Sequence, residues 1–461
     1  MHEQRGWLVY YGTRVETGFL ARTAVYARRR GFMKATPALL CAVLAMRDGA
    51  LLERIFHRVI DNGRMLRGFV GHLRSGALGR WSLGRRPKRL VQAWFDRRDD
   101  DQILRASVGN GPSLVDVIRL AHVDPRTLAR TALFRYLMRR DYDSAALPPL
   151  VRQLVAFQRG EGRAIPDVPF QLLTGASLSP SDWRGIALRG GWQMIRMNLN
   201  TFARHGVFDD PELVRTLQHR LSDPSEIRRA RQLPFQLMVA RDQLSDEVPA
   251  AIGDAMDRAV DEALVNVPTL PGKVHIAVDV SDSMHSRLSA RGKARCIDVA
   301  AMVAAAVLRR NPAATVIPFH DRVVPVQLDP DRPLRELSAS IASLPSGGTN
   351  CSAPLAWLNA RKDRGQLVLM ISDNQSWVDA REEAGQLTPL MCEWRRFRAN
   401  NPDARLVCLD LQPYHTVQAP PGDDVLHIGG FSDEVFRVLQ EYQSGDLSLT
   451  GWRAAIEEIA L

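Results

Sequence analysis

The chain has 461 residues, 45% apolar and 24% charged, which is too long for one ordinary core and predicts two or three globular domains. No run of about 18 uncharged apolar residues is present to cross a membrane, and the opening "MHEQRGWLVYYGTRVE" lacks the apolar stretch of a secretion signal, so a cytoplasmic protein with no membrane attachment is expected. The five cysteines, Cys41, Cys296, Cys351, Cys392 and Cys408, are odd in number and never in CxxC spacing, which argues for reduced, mostly buried thiols and against zinc.

The formal charge of +10 is unevenly shared. Of the 61 Lys and Arg residues 41 precede Pro268, against 28 of the 51 Asp and Glu, so the front part is strongly basic and the remainder is close to neutral. A polyanion partner for the front part follows from that split.

Up to about Asn266 the pattern is helical nearly throughout. Segments such as "ETGFLARTAVYARRRG" and "DPRTLARTALFRYLMRR" place apolar residues three and four apart with Arg on the other face. Breaks fall at 61–63, 109–113, 122–125, 209–212 and 222–226, clusters of Gly, Pro, Asp and Ser. Helix after helix with short connections predicts a bundle or, over this length, an irregular α-solenoid, since no fixed-period repeat is present.

The pattern changes at 265–273, "VNVPTLPGK", a proline- and glycine-marked linker. Beyond it, strand-like runs "VHIAVDV", "ATVIPF", "QLVLMIS", "ARLVCLDL" and "VLHIGG" alternate with amphipathic segments, which predicts a doubly wound, largely parallel sheet. Ligands of such sheets sit outside the carboxyl ends of the strands. Two domains are thus expected, 1–267 and 268–461.

Three segments should meet at that carboxyl edge. The first strand ends in Asp279, Ser281 and Ser283; the loop "LPSGGTNCS" offers Thr349; and the strand "QLVLMIS" ends at Asp373, followed by Asn374. A few carboxylates among hydroxyls are what a hard divalent ion, Mg²⁺ or Mn²⁺, takes as ligands. Gly347 and Gly348 let the backbone carrying Thr349 come close.

"DVSDS", "GGT" and "SD" resemble the metal-ion-dependent adhesion site of von Willebrand factor A domains. The resemblance implies Asp279, Ser281, Ser283 and Thr349 as ligands or near ligands, with Asp373 binding directly or through water. More widely, "PGKVHIAVDVSDSM", "LPSGGTNCSAPLAW" and "GGFSDEVFRVLQEY", with "FLARTAVYARRRGFMKATPALLCAVLA" and "SLVDVIRLAHVDP" upstream, resemble the Ro autoantigen family, in which an A domain follows a TROVE module. It implies a HEAT-like ring of helices in 1–267, followed by a Rossmann-like A domain in 268–461. It also implies single-stranded 3′ ends of misfolded non-coding RNA in a basic central hole, Y-like RNAs on the outer surface, and an exoribonuclease of RNA decay as partner. A monomer is expected, with no DNA partner.

The richest basic cluster is "GRWSLGRRPKRLVQAWFDRR": Arg80, Arg85, Arg86, Lys88 and Arg89, then Arg97 and Arg98, interleaved with Trp81, Trp94 and Phe95. RNA contact is expected there, a solvated helix face being the alternative. Arg119 and His122 match a family segment that contributes to Y RNA binding, although a histidine before a turn also suits packing or capping; Arg196 lies in a segment similar to hole-lining helices. The family's basic run before Arg119 is here "LRASVGNGPS", with only Arg105, which weighs against a Y RNA contact of the usual kind. The chain also begins inside what is the family's second helical region. Catalysis is not expected: no GxxxxGK[ST] loop or HExxH helix occurs, and His275 and His320 have no evident general-base placement. The alternative function is a protein-binding adaptor, its A-domain ion capturing a partner's carboxylate.

Overall fold

The computed structural model describes residues 2–31, 33, 35–109, 111–162, 164–230, 232–288, 294–373, 388–412, 419–420, 422–431, 435–443 and 449–461. They form two compact units, Met1–Ile186 with Arg453–Leu461, and Ala187–Trp452.

The first unit is helical. Its elements are α1 (His2–Gly12), α2 (Thr17–Arg29), α3 (Thr36–Arg47), α4 (Gly49–Val59), α5 (Gly63–Arg74) and α6 (Arg85–Asp96). They continue with α7 (Asp100–Ala106), α8 (Leu114–Ala121), α9 (Leu128–Leu137), α10 (Pro149–Gln158), α11 (Phe170–Leu173) and α12 (Pro180–Arg189). Helix packs on the second neighbour as well as the first, α2 on α4, α3 on α5, α4 on α6 and α5 on α7, the pattern of a solenoid. The interior is aliphatic and aromatic, with Leu44, Leu52, Phe56, Phe69, Trp94 and Phe95 fully covered and the Phe56 and Phe69 rings edge to face at 5.3 Å.

The polar clusters that break the helical pattern work as caps. Asn62 accepts the Met65 amide at 3.0 Å, Ser113 and Asp116 form a reciprocal capping box, and Asp210 and Asp223 take the first-turn amides of the helices that follow them. Each satisfies amides that the helix itself leaves unbonded. The chain's last carbonyls are held in the same unit: Arg22 donates to Ile459 O at 3.1 Å, Arg54 to Leu461 O at 2.9 Å, and Arg58 to Ala460 O.

The second unit begins with α13 (Trp192–Met197), α14 (Leu199–Arg204), α15 (Pro211–Leu221), α16 (Pro224–Ala230), α17 (Pro234–Asp242) and α18 (Ala250–Glu262). The stretch expected as a linker is anchored here, Arg310 Nε donating to Val267 O and the Leu270 amide to Asn311 Oδ1, both at 2.8 Å. The α/β part follows as β1 (Val274–Asp279), α19 (Cys296–Arg310), β2 (Thr315–Phe319), α20 (Leu334–Ala342) and α21 (Ala353–Ala360). It ends with β3 (Leu367–Ser372), α22 (Pro389–Asn400), β4 (Arg405–Asp410), β5 (Val425–Gly429) and α23 (Val435–Gln443), and the last helix of the chain is α24 (Leu449–Glu457).

The five strands are parallel in the order β2-β1-β3-β4-β5. One face packs Ala277, Phe319, Val368 and Met370 under Leu355 and Leu358 of α21 and Trp394 and Phe397 of α22. Alternation sends Ile276, Val278, Leu369 and Ile371 to the other face, on the side of the alanine-rich α19. Strand order reverses between β1 and β3, so the switch-point crevice opens beyond their carboxyl ends.

Candidate metal centre and nucleic-acid interface

Asp279 is the last residue of β1 and is completely buried. Its Oδ1 accepts the Ser281 amide at 2.8 Å, an Asx-type turn that starts a 3-10 turn at Asp282–His285. Its Oδ2 accepts the Ser372 hydroxyl at 2.6 Å across the β1/β3 boundary. The Ser281 and Ser283 hydroxyls lie 3.1 Å apart. Burial, above all, pushes the Asp279 carboxyl up to about 6, with the Asp373 carboxylate adding a smaller like-charge push, so the two carboxyls are near neighbours.

The third segment is tied to the first. The Asp282 amide donates to Gly347 O at 3.0 Å, Ser346 Oγ donates to Asp282 Oδ1, and the Asn350 amide donates to His320 O at 2.8 Å. A Cβ at Gly347 would sit 3.0 Å from His320 Nδ1, so this close approach favours glycine. Thr349, two residues on, is 99% buried, as is Asp373. Asp279, Ser281, Ser283 and Asp373 thus meet at one edge, and Thr349 is carried there on a loop pinned to Asp282. Asn374 lies outside the described residues. Ser372, part of the "SD" motif but not among the expected ligands, belongs to the cluster through its bond to Asp279.

The donor set is two carboxylates among three hydroxyls, which fits a hard divalent ion and not a soft one. His275 and His320 are engaged otherwise. His275 is fully buried, its Nε2 3.0 Å from Arg364 O, and burial lowers its pKa. His320, just beyond the end of β2, is buried against Gly347, with Nδ1 accepting the Asp321 amide at 2.8 Å.

In the first unit, α6 presents Arg85, Arg86 and Arg89 to solvent, with Lys88 and Arg80 half-buried; Arg80 Nη1 reaches Met46 Sδ at 3.3 Å. Trp81, 74% exposed, precedes the helix, and a Cβ at Gly76 would lie 2.5 Å from its ring. Of the three aromatics in this segment only Trp81 is free to stack. Trp94 and Phe95 fall on the apolar stripe with Pro87, Leu90 and Val91 and are fully buried, Trp94 Nε1 donating to Ile60 O at 2.9 Å.

Residues 273–443 match the Ro60 vWA domain family model. The RNA-binding protein RO60 of Deinococcus radiodurans is 25% identical over 457 aligned residues, which take in 90% of this chain and 82% of that protein. The chain is thus similar to a Ro protein over most of its length. The RNA-binding protein RO60 of Caenorhabditis elegans is 26% identical over 265 residues, which cover 55% of this chain and 40% of that one. The crystal structure of the Deinococcus radiodurans RO (RSR) protein superposes with a TM-score of 0.71 at 22% identity, over 93% of this chain and 91% of that one, the same fold.

Against that Ro fold the remaining residues separate. Arg119, in the last turn of α8, is exposed, and His122 is the left-handed residue at its carboxyl end (φ 52°), also exposed; its backbone caps the helix. Arg196 is in the second unit, half-buried on α13, with Nη1 3.3 Å from Gln236 O. Arg97 and Arg98 leave the α6 cluster altogether and line a cleft formed with α5 and α7.

Proposed function

We propose that this Ro-type chain is a non-catalytic RNA-binding protein that takes small structured, Y-like RNAs and misfolded non-coding RNAs with single-stranded 3′ ends. The observation that carries the reading is the outward face of α6, where Arg85, Arg86 and Arg89 stand in solvent next to a largely exposed Trp81. Guanidinium groups neutralise phosphates whatever the sequence, and an uncovered indole face takes an unpaired base. The curated relatives are named RNA-binding proteins, which supports the same reading. Action in the cytoplasm as a monomer, with an exoribonuclease partner, belongs to the proposal; no helix among the described residues is long and apolar enough to cross a membrane. The absence of catalysis is supported by His275 and His320, both held in structural hydrogen bonds.

Filter binding of a structured RNA with a single-stranded 3′ tail, over a salt series, tests it. Replacing Arg85, Arg86 and Arg89 by Ala should reduce the slope of log K against log salt by about 2, at roughly 0.7 per single-strand phosphate released. An unchanged slope and affinity refutes the assignment.

A second role is favoured by the buried oxygen cluster of the A domain. Asp279, Ser281, Ser283, Thr349 and Asp373 would hold Mg²⁺ or Mn²⁺, and the ion would supply a positive centre for an acidic side chain of a protein partner. Calorimetric titration with MnCl₂ at neutral pH should give heat in the parent chain and none in Asp279→Ala. If EDTA and Asp279→Ala abolish capture of an acidic partner while RNA binding persists, the metal site serves the adaptor role; if both chains titrate alike, the metal assignment is wrong.

A further inference from the structure

A basic concavity of the first unit lies away from the outward face of α6. A cavity of roughly 690 Å³ opens between the ends of α4, α5, α6 and α7, lined by Arg64, Arg67, Arg97 and Arg98 with the amides of Asn62 and Gln102. Its two ion-pairing members are already spent. Asp61 holds Arg28 through both oxygens at 2.8 to 3.0 Å, and Arg105 bonds Asp167 at 2.8 Å. Arg64 and Arg97 have no hydrogen-bond or ion-pair partner for their side chains among the described residues.

Arg67 is the anchor of the site. It is 93% buried, yet its only hydrogen-bond partner among the described residues is the Ala106 carbonyl at 2.5 Å, with no carboxylate. Arg98 sits over Trp94, its guanidinium carbon 3.5 Å from the ring centroid, and donates to Trp94 O and Asp61 O at 2.8 and 2.7 Å. The α5 amino end adds to the positive field. Asn62 caps Met65, while the amides of Gly63 and Arg64, both lining residues, have no partner among the described residues. The crowding is visible in the one titratable base of the cleft: burial and then Arg97 and Arg98 push His57 down to about 4, so it is neutral and adds no charge at pH 7.

Four guanidinium groups gathered in one concavity repel one another and lose hydration, a cost that an anion in the middle converts into charge-assisted, two-pronged hydrogen bonds. The anion must be compact. Phosphodiesters spread one charge per nucleotide along a strand, whereas a di- or triphosphate concentrates several within the volume of this cavity. The Trp94 ring is fully buried beneath Arg98 and offers no face to a base, so the lining reads phosphate oxygens and not nucleobases.

The geometry points to a compact polyphosphate site in this cleft, with Arg64, Arg67, Arg97 and Arg98 as its ligands, filled by a di- or triphosphate group. Two sources share that chemistry: the 5′-triphosphate end of an RNA, which rests on the RNA-binding reading above, and a free nucleotide or inorganic polyphosphate, which does not.

Inorganic tripolyphosphate is titrated calorimetrically into the full-length chain, into Arg64→Ala/Arg97→Ala and into the outward-face variant Arg85→Ala/Arg89→Ala. The altered side chains of both variants are exposed, so the fold is kept. At least a tenfold loss is expected in Arg64→Ala/Arg97→Ala and less than twofold in the other. Absence of binding, or equal loss in both variants, overturns the site. One RNA sequence bearing a 5′-triphosphate or a 5′-hydroxyl then separates the sources. A preference of at least fivefold for the triphosphate, lost in Arg64→Ala/Arg97→Ala, assigns the RNA end. Equal binding of both RNAs, with tripolyphosphate still dependent on Arg64 and Arg97, assigns a free polyphosphate. If neither RNA binds but tripolyphosphate does, the RNA reading fails and this site stands.

Discussion

Asp279 gives the sharpest quantitative test, because it is a fully buried carboxyl whose ionisation folding opposes. Its pKa is pushed from 3.8 up to about 6, chiefly by burial. Below 3.8 the group is neutral whether the chain is folded or not, and no cost arises. Between 3.8 and about 6 the unfolded chain ionises first, so stability falls as pH rises, and the loss is complete once the folded form has ionised too. With 1.36 kcal/mol per unit, the total is about 3 kcal/mol. Asp279→Asn has the same shape and no charge, so the stability difference between parent and variant isolates this carboxyl. In EDTA that difference should swing toward the variant by about 3 kcal/mol from pH 3.5 to 7, read by urea denaturation with tryptophan fluorescence. Adding Mg²⁺ at a hundred times its dissociation constant should return about 2.7 kcal/mol to the parent alone above pH 6. A flat difference across that window in EDTA refutes the burial argument; a swing with no response to Mg²⁺ or Mn²⁺ refutes the metal centre.

Further outcomes follow from single contacts. Trp81→Ala should weaken binding of a single-stranded RNA by about 1–3 kcal/mol, the worth of one stacked base, with an unchanged melting temperature. Trp94→Phe removes the indole bond to Ile60 O and part of the Arg98 stacking surface, leaves that buried carbonyl unpaired, and should cost about 1–3 kcal/mol in urea denaturation. Gly365→Ala would place a Cβ 2.6 Å from the His275 ring, between a buried imidazole and the strand that carries it, and should lower the melting temperature of the second unit by several degrees. Arg54→Ala/Arg58→Ala frees the last carbonyls of the chain and should make 453–461 the first segment cut in limited proteolysis.

The five strands after 273 were legible to within about a residue at either end, since a buried parallel strand is a short unbroken apolar run and few other elements look like it. The helix breaks were legible too, because Asn62, Ser113, Asp210 and Asp223 are cap chemistry wherever they stand. Trp94 and Phe95 show how a reading goes astray with the information in hand: their three- and four-residue spacing from Leu90 and Val91 marks a core stripe, and proximity in sequence to arginines marks nothing.

The order of types along the chain determined the two kinds of architecture and the Asp-Ser-Ser, Thr and Asp donors, because helix and strand periods and loop-borne oxygens are local properties. Only the tertiary structure decided that Ser372 backs Asp279 and that His320 is buried. It also decided that Arg97 and Arg98 turn from the outer face of α6 into a cleft with Arg64 and Arg67. Those partnerships join residues tens of positions apart, and no period carries them; they exist because strand pairing and helix stacking bring distant side chains into the same few ångströms.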